Sequence, residues 1–331
     1  MTSDRVKDLH ELRLCRYPPR GGAGGHGRLR VAPVDYLEQL RCAARFRSTP
    51  RSREYEESDS ALKSDQAPTG PLRAGVFRPL VIVTRKPEVT TDPSRVAIVV
   101  VARMTSSRLP GKSLLTLAGD TVLGRVLTRT RQSQEADCLI VATSSHPTDD
   151  PIAEWCLDRQ VPCFRGPLSS VAQRVFEAAQ AVKATGFVRV SADSPFIDPT
   201  LIDHAIRLFR HQEVDLVTNV FPRTFPKGES VEIISTDVLG GLLLDGLTPD
   251  QQEHVTKAFY DSPDRFSIIS FTAADVGSLA QGDHSLVQLS IDTEGDLITA
   301  VEVSELIGGS LDSASWLDVE RAWRRVVGGQ M

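Results

Sequence analysis

Apolar and polar residues alternate in blocks along residues 95–331, where short apolar runs are separated by longer amphipathic stretches. The apolar runs are rich in β-branched residues and predict strands. These predicted strands cover residues 96–102, 138–142, 187–190, 215–218, 230–234, 266–271 and 287–291. The amphipathic stretches predict helices over about 122–131, 151–159, 171–185, 199–211, 250–260, 296–307 and 315–327. Strand–helix alternation of this kind predicts an α/β fold in which helices flank a mostly parallel sheet.

Three of the predicted helices begin where a proline accompanies an acidic or hydroxyl residue, at 150–151, 198–199 and 248–250. Proline suits the first turn of a helix because its φ is already helical and its missing N–H has no partner there anyway. The neighbouring side-chain oxygen accepts a free backbone amide at the helix start. Asp198 is therefore interpreted as a helix cap.

The first 94 residues differ in composition from the rest of the chain. Segments 18–27 and 49–58 are polar and interrupted by glycine and proline, which predicts disorder. A short amphipathic helix is predicted at 35–46, and residues 80–83 have the pattern of an isolated strand. We therefore expect a low-complexity, largely disordered extension, which either has a role of its own or results from an upstream start codon.

Charge is divided unevenly along the chain. The formal net charge is -5, yet residues 1–94 carry 17 Lys and Arg against 12 Asp and Glu, so the remainder is distinctly acidic. General nucleic-acid binding needs a broad basic face, which an acidic main domain does not offer. Nucleic acids are therefore not expected as partners.

Cysteine content and hydropathy restrict the cellular setting. The five cysteines (Cys15, Cys42, Cys138, Cys156 and Cys163) include no C-x-x-C pair, so neither a disulfide framework nor a zinc site is expected. The longest apolar run is about seven residues, against the roughly 20 that a membrane helix requires. The N-terminus also lacks the apolar core of a signal peptide. The sequence thus predicts a cytoplasmic protein that does not enter a membrane.

The predicted strand at 96–102 runs directly into a loop with three cations, Arg103, Arg108 and Lys112, in which a Pro-Gly pair forces a turn. Open α/β sheets bind ligands just outside the carboxyl ends of their strands. A loop with three positive charges at this position predicts a bound polyanion. A nucleoside triphosphate is the polyanion that we expect.

A P-loop is the competing interpretation of this loop, because Ser106 to Ser113 has the spacing of G-x-x-x-x-G-K-[ST]. Ser106, however, stands in place of the first glycine, and Pro110 lacks an amide in a loop whose amides should surround phosphate. Residues 114–120 also look extended where the helix of a P-loop would begin. We therefore reject the P-loop interpretation.

Two aspartates follow predicted strands at the same end as the cationic loop. Asp193 comes after the strand at 187–190, and Asp292 comes after the strand at 287–291. Mg²⁺ is commonly held by one or two carboxylates together with phosphate oxygens, and Arg and Lys stabilise the charge of a phosphoryl group in transfer. Asp193 and Asp292 are therefore candidate Mg²⁺ ligands, and the residues after Asp292 have the pattern of a capped helix start.

Seven short motifs follow one another in the order expected for one enzyme family: R-M-x-S-x-R-L-P-G-K (103–112), V-A-T-S-S (141–145), D-D-P-I-A (149–153), F-R-G (164–166), A-D-S-P-F-I-D-P (192–199), E-H-V-T (253–256) and I-D-T-E (291–294). Together they resemble the CTP-dependent cytidylyltransferases. The SpsF-type spore-coat polysaccharide branch is the most similar, alongside the CMP-sialate and CMP-Kdo synthetases. The resemblance extends over about 95–327.

The resemblance implies a Rossmann-like nucleotide-diphospho-sugar transferase fold for a cytidylyltransferase domain at 95–331. It implies Mg²⁺-dependent transfer of CMP from CTP to an acidic sugar or related hydroxy acid, with release of pyrophosphate. The product would serve surface polysaccharide or specialised metabolite biosynthesis. A homodimer is also implied, with about 219–286 as the acceptor and dimerisation segment.

The resemblance further assigns roles to individual residues. The catalytic and triphosphate-binding roles fall on the three cations Arg103, Arg108 and Lys112. The remaining nucleotide contacts, around the cytosine base, fall on Ala102, Thr143 and Ser144. The Mg²⁺ ligands are Asp193 and Asp292.

The chain departs from the family pattern at residues 167–170, which replace a usually acidic turn, and at three single positions. Val101 stands where glutamine is usual, Thr105 where glycine is common, and Ser230 where an aspartate precedes Val-Glu. A threonine at position 105 requires the loop to avoid positive φ there or to bear strain. These departures concern the nucleobase and the acceptor, so they leave open which sugar is the acceptor and, to a lesser degree, the choice of CTP. No residue is assigned as the general base.

Two alternative functions stay open at this point. One is a glycosyltransferase that uses a nucleotide sugar, against which the lack of a D-x-D motif at 192–194 counts. The other is a catalytically silent relative that only binds nucleotide. For His254, within the E-H-V-T motif, an acceptor-binding and a structural role are both open.

Overall fold

The computed structural model describes residues 81–82, 95–277 and 283–329. The strands of this described part are β1 (Val81–Ile82), β2 (Val96–Val101), β3 (Thr116–Leu117), β4 (Asp120–Thr121), β5 (Cys138–Ser144), β6 (Cys163–Gly166), β7 (Gly186–Ser191), β8 (Leu216–Thr218), β9 (Glu232–Ser235) and β10 (Ile268–Ser270). Eight of them form one sheet in the order β1-β6-β5-β2-β7-β9-β8-β10. Within this sheet β1 and β9 run antiparallel to their neighbours, and the other strands share one direction.

Helices cover both faces of the sheet. They are α1 (Val122–Thr130), α2 (Asp150–Asp158), α3 (Val171–Ala181), α4 (Pro199–His211), α5 (Thr236–Asp245), α6 (Pro249–Glu253), α7 (Lys257–Asp261), α8 (Glu294–Ile307) and α9 (Trp316–Gly328). No helix in the described ranges has the length and apolarity that a membrane crossing requires.

The central strand β2 explains why its sequence is a continuous apolar run. Val96, Ile98 and Val100 pack on one side of the sheet, in a cluster that includes residues of α1 and α4. Ala97 and Val99 pack on the other side, in a cluster that includes residues of α3 and α5. Because both faces of β2 are covered, no polar alternation is needed. The α/β fold with a mostly parallel, helix-flanked sheet is confirmed.

The predicted strand at 287–291 is wrong. In the described structure this segment forms only one isolated bridge, between Lys227 and Gln288. Its alternating residues Val287, Leu289 and Ile291 are buried in a third cluster, against residues of α8 and α9. The period of two therefore comes from packing on helices, which the sequence pattern does not distinguish from a strand.

The helix predicted at 250–260 is two short helices, α6 and α7. The chain leaves helical geometry at His254, with φ -105° and ψ 84°, and Val255 is fully buried at the break. The helix predicted at 171–185 ends earlier, at Ala181. Burial of an apolar side chain thus interrupts a sequence whose helical periodicity is otherwise continuous.

Four described elements were missed: the short strands β3 and β4, the strand β6 and the helix α5. β6 has four residues and includes a charged arginine, which weakens its apolar pattern. α5 contains the adjacent glycines Gly240 and Gly241, and glycine lowers helix propensity. At Gly240 a Cβ would lie 2.9 Å from a ring carbon of Phe176, so glycine allows α5 and α3 to approach closely.

The first 94 residues are described only at Val81–Ile82, which pairs with Cys163 and Phe164 as an edge strand. This strand lies within the predicted 80–83. The predicted helix at 35–46 and the predicted disorder lie outside the described residues.

Candidate active site

The carboxyl ends of three neighbouring strands bring the predicted site together. Val101 at the end of β2 pairs with Ala142 of β5 on one side and with Ser191 of β7 on the other. The cationic loop follows β2, Thr143 is the penultimate residue of β5, and Asp193 follows β7. Parallel strands end at one edge of a sheet, so residues far apart in sequence become neighbours there.

The cationic loop is closed by its own backbone and anchored by an apolar side chain. The amide of Gly111 donates to the carbonyl of Met104 at 2.9 Å, and Gly111 has φ 73°, a left-handed conformation that favours glycine. Leu109 is buried in the same cluster as Ile291, which precedes Asp292. Thr105 is not among the positive-φ residues, so the loop avoids strain at that position.

The structure supports the rejection of a P-loop. After Gly111 a single 3₁₀ turn, Lys112–Leu114, takes the place of a helix. A two-stranded hairpin of β3 and β4 then follows.

Lys112 joins the two predicted metal ligands. Its Nζ lies 2.6 Å from Oδ2 of Asp193 and 3.0 Å from Oδ1 of Asp292, and it donates to the carbonyl of Ile291 at 2.8 Å. Arg108 also reaches Oδ1 of Asp292, at 3.1 Å. Two of the three loop cations, Arg108 and Lys112, thus form one charged cluster with both aspartates.

The two aspartates fit a divalent cation. Each directs an oxygen to the same ammonium group, so a cation already lies between them in this structure. Oxygen donors of this kind suit Mg²⁺, which binds few protein carboxylates when phosphate oxygens complete its shell. Among the residues described, no group of three or more His, Cys, Asp or Glu could hold a metal. Ligands from a nucleotide would therefore have to complete the coordination.

Arg103 is not part of this cluster. Its guanidinium forms an ion pair with Glu253 of α6 at 2.6 Å, where both side chains are partly exposed. The loop cations therefore divide into two groups, which sequence alone does not reveal. Glu253 belongs to the E-H-V-T motif, whereas the adjacent His254 is largely exposed and lies 3.7 Å from Asp250.

The predicted base-pocket residues are buried. Ala102 is 1% exposed, and its amide donates to the carbonyl of Ala142 at 3.1 Å. Thr143 and Ser144 are fully buried, and the Thr143 hydroxyl has no hydrogen-bond partner among the described residues. A buried hydroxyl without a partner is costly, so a ligand atom would stabilise Thr143.

Asp149 positions this pocket and was missed by sequence reasoning. Its carboxylate is fully buried, accepts from the amide of Met104 at 2.7 Å, and is hydrogen-bonded by the Ser144 hydroxyl. It therefore ties the start of the cationic loop to the end of β5. Its place in the D-D-P-I-A motif was the available signal.

Arg174 of α3 was also missed. It is 1% exposed, donates to the carbonyl of Pro167 at 2.7 Å, and has a buried Nε–H without a partner among the described residues. Its side chain packs on Gly166, which lies opposite Ser144 in the register of β5 and β6. Burial lowers the pKa of the Arg174 guanidinium. A charged residue on the apolar face of a helix was the signal for it.

A cavity of about 240 Å³ is lined in part by Asp193. Its lining includes three cations, Arg189, Arg223 and Lys227, together with several serine hydroxyls. Arg189 is paired with Glu232 at 2.9 Å. The cavity therefore presents positive charge beside one of the predicted metal ligands.

Ser230 places a neutral side chain next to Arg223 in this cavity. Its hydroxyl accepts from Arg223 at 3.0 Å, at the position where the resemblance leads us to expect an aspartate. Arg223 makes no ion pair within the described ranges, and burial lowers its pKa. The serine thus leaves the positive charge of Arg223 available to a ligand.

Tyr260 and Glu232 form a polar pair next to Arg189, which lines this cavity. The Tyr260 hydroxyl donates to Oε1 of Glu232 at 2.7 Å and lies 2.8 Å from the Thr218 hydroxyl. Burial, and next the charge of Glu232, raise the pKa of Tyr260. Tyr260 therefore stays protonated near neutral pH and is not suited to act as a general base.

Asp198 is confirmed as a helix cap. Its carboxylate accepts from the amide of Thr200 at 2.8 Å and from the amide of Trp316 at 2.9 Å. The predicted capped start after Asp292 is also confirmed, because Thr293 and Asp296 form a capping box at the start of α8. The carboxylates of Asp198 and Asp296 therefore serve structure.

Comparison with known proteins gives a consistent result. Residues 97–306 match the family described as cytidylyltransferase. The spore coat polysaccharide biosynthesis protein SpsF of Bacillus subtilis (strain 168) is 30% identical over 206 residues, 61% of this chain and 82% of SpsF. The 3-deoxy-manno-octulosonate cytidylyltransferase of Anaeromyxobacter sp. (strain Fw109-5) is 26% identical over 241 residues, 69% of this chain and 96% of that protein. The solved structure of a cytidylyltransferase from Leptospira borgpetersenii serovar Hardjo-bovis (strain JB197) is similar with a TM-score of 0.65 at 28% identity, covering 71% of this chain and 95% of that chain.

Proposed function

Because the chain belongs to the cytidylyltransferase family and is thus a CTP-dependent nucleotidyltransferase, we propose that it transfers CMP to the hydroxyl of a small acidic acceptor. Pyrophosphate is the second product. The observation that carries this proposal is the cluster of Lys112 with Asp193 and Asp292, in which cations for phosphate and carboxylates for a metal meet at one point. Similarity to SpsF favours a role in polysaccharide biosynthesis.

In this proposal the cluster binds the triphosphate and a divalent metal, with Mg²⁺ as the expected ion. Asp193 and Asp292 hold the metal, and Arg103, Arg108 and Lys112 neutralise the phosphate charge that becomes the leaving pyrophosphate. When bound, the metal supplies Lewis-acid stabilisation of the phosphate oxygens. Asp193 is flanked by Ala192 and Ser194, so these residues do not form a D-x-D motif. The lack of this motif favours nucleotidyl transfer over glycosyl transfer.

The base pocket lies at Ala102, Thr143 and Ser144, with Arg174 as an additional base-binding residue. Cytosine presents a carbonyl oxygen and an unprotonated ring nitrogen, both of which are hydrogen-bond acceptors. The unpaired Nε–H of Arg174 and the unpaired hydroxyl of Thr143 are donors that match them. Uracil carries a proton on that ring nitrogen and fits these donors less well, which supports CTP over UTP.

The cavity beside Asp193 is proposed as the acceptor site. Arg223 and Lys227 supply positive charge for an acidic group, while Asp193 belongs to both this cavity and the metal cluster. An acceptor anchored by its acidic group at Arg223 would therefore present its hydroxyl near the phosphate. Arg223 and Lys227 lie within the segment 219–286. We also propose this segment as the dimer interface, because the aromatic side chain of Phe221 is 44% exposed there.

The acceptor assignment is tested with paired compounds. Sugar acids and their methyl esters, which lack the negative charge, are mixed with CTP and MgCl₂, and pyrophosphate release is measured. We expect release with acids only, and Arg223→Met should raise KM for the acid while the Kd for CTP is unchanged. Equal turnover of acid and ester would overturn the acidic-acceptor proposal.

A further inference from the structure

The ammonium group of Lys112 is saturated by protein acceptors. It has three N–H donors, and three acceptors lie within 3.0 Å: a carboxylate oxygen of Asp193, one of Asp292 and the carbonyl of Ile291. The side chain is only 13% exposed. No donor of Lys112 is therefore left for a phosphate in this arrangement.

The same contacts occupy the carboxylates. Asp193 and Asp292 lie close enough to share one ammonium group, and like charges at such a separation repel unless a cation lies between them. Arg108 adds a second cation at Oδ1 of Asp292. The cluster is balanced in charge without any ligand, so a divalent ion that enters it has to displace the ammonium group.

We infer that Lys112 is an exchangeable latch that couples metal binding to nucleotide binding. Without ligands it holds Asp193 and Asp292 together, and when the metal takes its place the released ammonium group moves onto the triphosphate. The inference rests on the proposed function in taking these aspartates as the metal ligands. If Lys112 acts as this latch, the metal binds more weakly without CTP than with it, and CTP binds more weakly without the metal than with it.

The coupling is reciprocal. A metal that releases Lys112 improves the phosphate site, and a triphosphate that draws Lys112 away frees the carboxylates for the metal. By linkage each ligand strengthens the other by the same factor. A residue that only neutralised phosphate would give no effect on metal binding in the absence of nucleotide.

The first test therefore uses the metal alone. MnCl₂ is titrated by calorimetry into the full-length protein, its Lys112→Met and Lys112→Gln variants, and an Arg103→Met control. We expect both Lys112 variants to bind Mn²⁺ about tenfold more tightly than the unaltered protein. Arg103 belongs to the same loop but contacts Glu253 instead of the two aspartates. The control Arg103→Met therefore removes one charge from the loop and should leave the Mn²⁺ affinity within about twofold of the unaltered protein.

The second test uses CTP with and without metal. In EDTA the unaltered protein and Lys112→Met should bind CTP within about threefold of each other, because Lys112 is held by the aspartates. With Mn²⁺ present the unaltered protein should bind CTP about tenfold more tightly than the variant. An equal loss of CTP affinity in both conditions would overturn the latch, as would unchanged or weaker Mn²⁺ binding in both folded Lys112 variants.

A double variant separates the latch from the proposed metal site. Asp193→Asn added to Lys112→Met should abolish the tight Mn²⁺ binding that Lys112→Met creates. If the double variant keeps that affinity, the ion binds elsewhere, and the metal-ligand assignment fails together with the latch. If the tight binding is lost on adding Asp193→Asn but CTP affinity shows no dependence on metal, the metal site stands and the latch alone is wrong.

Discussion

Lys112 and Asp193, 81 positions apart in the chain, are joined by a contact of 2.6 Å at the carboxyl edge of the sheet. Lys112 comes from the loop after β2, and Asp193 from the loop after the adjacent strand β7. The parallel pairing of β2 with β7 fixes this relationship, because both loops leave the sheet at the same edge. The proposed phosphate-binding cation and the proposed metal ligand thus become neighbours through sheet topology.

Asp193→Asn and Asp292→Asn should each lower turnover on the order of 10²–10³-fold, or roughly 3–4 kcal/mol, because each removes one of the two proposed metal ligands with little change in volume. Pyrophosphate release measures turnover, and calorimetry should show that CTP still binds. Asp158→Asn on the exposed end of α2 is the matched control and should retain activity. Near-normal turnover of Asp193→Asn would show that this carboxylate serves structure only.

Arg174→Met should reduce the discrimination between CTP and UTP. Methionine fills much of the buried volume without a donor, so the fold should persist, while the lost hydrogen bond to the base costs about 1.5–3 kcal/mol. Nucleotide-dependent shifts in Tm, which grow with ln(1 + [L]/Kd), measure the preference. The exposed Arg159 provides the control variant Arg159→Met. If CTP raised the Tm of Arg174→Met as much as that of the unaltered protein, Arg174 would not belong to the proposed base pocket.

Gly111→Ala should destabilise the cationic loop. Gly111 has φ 73°, and a residue with a Cβ in this conformation costs about 1–2 kcal/mol. The Kd for CTP should rise, since the loop carries Lys112.

Gly241→Ala is the control, because a Cβ there meets nothing within 4 Å inside helix α5. It should stabilise the protein by about 0.5–1 kcal/mol, which denaturant unfolding measures. Equal effects of the two substitutions would contradict the role of the left-handed turn.

Glu229 should make the free energy of unfolding depend on pH. It is fully buried, its Oε2 accepts from the amide of Asp198 at 2.8 Å, and burial raises its pKa well above the usual range. A raised carboxyl pKa means that the folded state holds a proton that the unfolded state has lost. The contribution of protonated Glu229 to the free energy of unfolding is therefore complete below the ordinary pKa of glutamate. It declines as the pH rises towards the higher pKa of Glu229 in the folded state.

Denaturant unfolding of the unaltered protein and of Glu229→Gln between pH 4 and 8 tests this expectation. The difference in unfolding free energy between the two should shift in favour of Glu229→Gln as the pH rises, by up to about 1.4 kcal/mol per pH unit. A difference that is constant with pH would mean that Glu229 is ionised when folded.

Two truncations of different length should distinguish the residues before β1 from β1 itself. Deleting residues 1–79 keeps β1, and deleting residues 1–94 removes it and exposes the edge of β6. Both proteins should retain CTP turnover, because the proposed site lies in the remaining chain, but the longer deletion should show the lower Tm. Loss of nucleotide binding in the shorter deletion would place the extension in the functional domain.

The parts of the site that sequence reasoning predicted share one physical origin. The apolar run of β2 is continuous because both faces are buried, so its end, and hence the cationic loop, could be located from residue types alone. Asp193 and Asp292 could be predicted in the same way, as carboxylates directly after apolar segments. For Asp292 the segment was not a strand, yet its burial against α8 and α9 still brings it to the same edge.

The missed residues depend on tertiary contacts that residue patterns do not encode. Arg174 lies on a helix, and only the packing of its side chain on Gly166 brings it to the end of β5. The pairing of Arg103 with Glu253 spans 150 positions, so the loop cations read as one group in sequence. Without these contacts the proposed base pocket was incomplete, although the fold around it could be predicted.

The most direct measurement is the ³¹P spectrum of the protein mixed with CTP, MgCl₂ and sugar acids, recorded beside Asp193→Asn and beside mixtures that contain UTP, ATP or GTP. Cytidylyl transfer predicts a new phosphodiester signal with an equal amount of pyrophosphate, formed from CTP and lost in Asp193→Asn. A preference for another nucleotide, or a phosphodiester that forms equally well in Asp193→Asn, would contradict the assignment of this site.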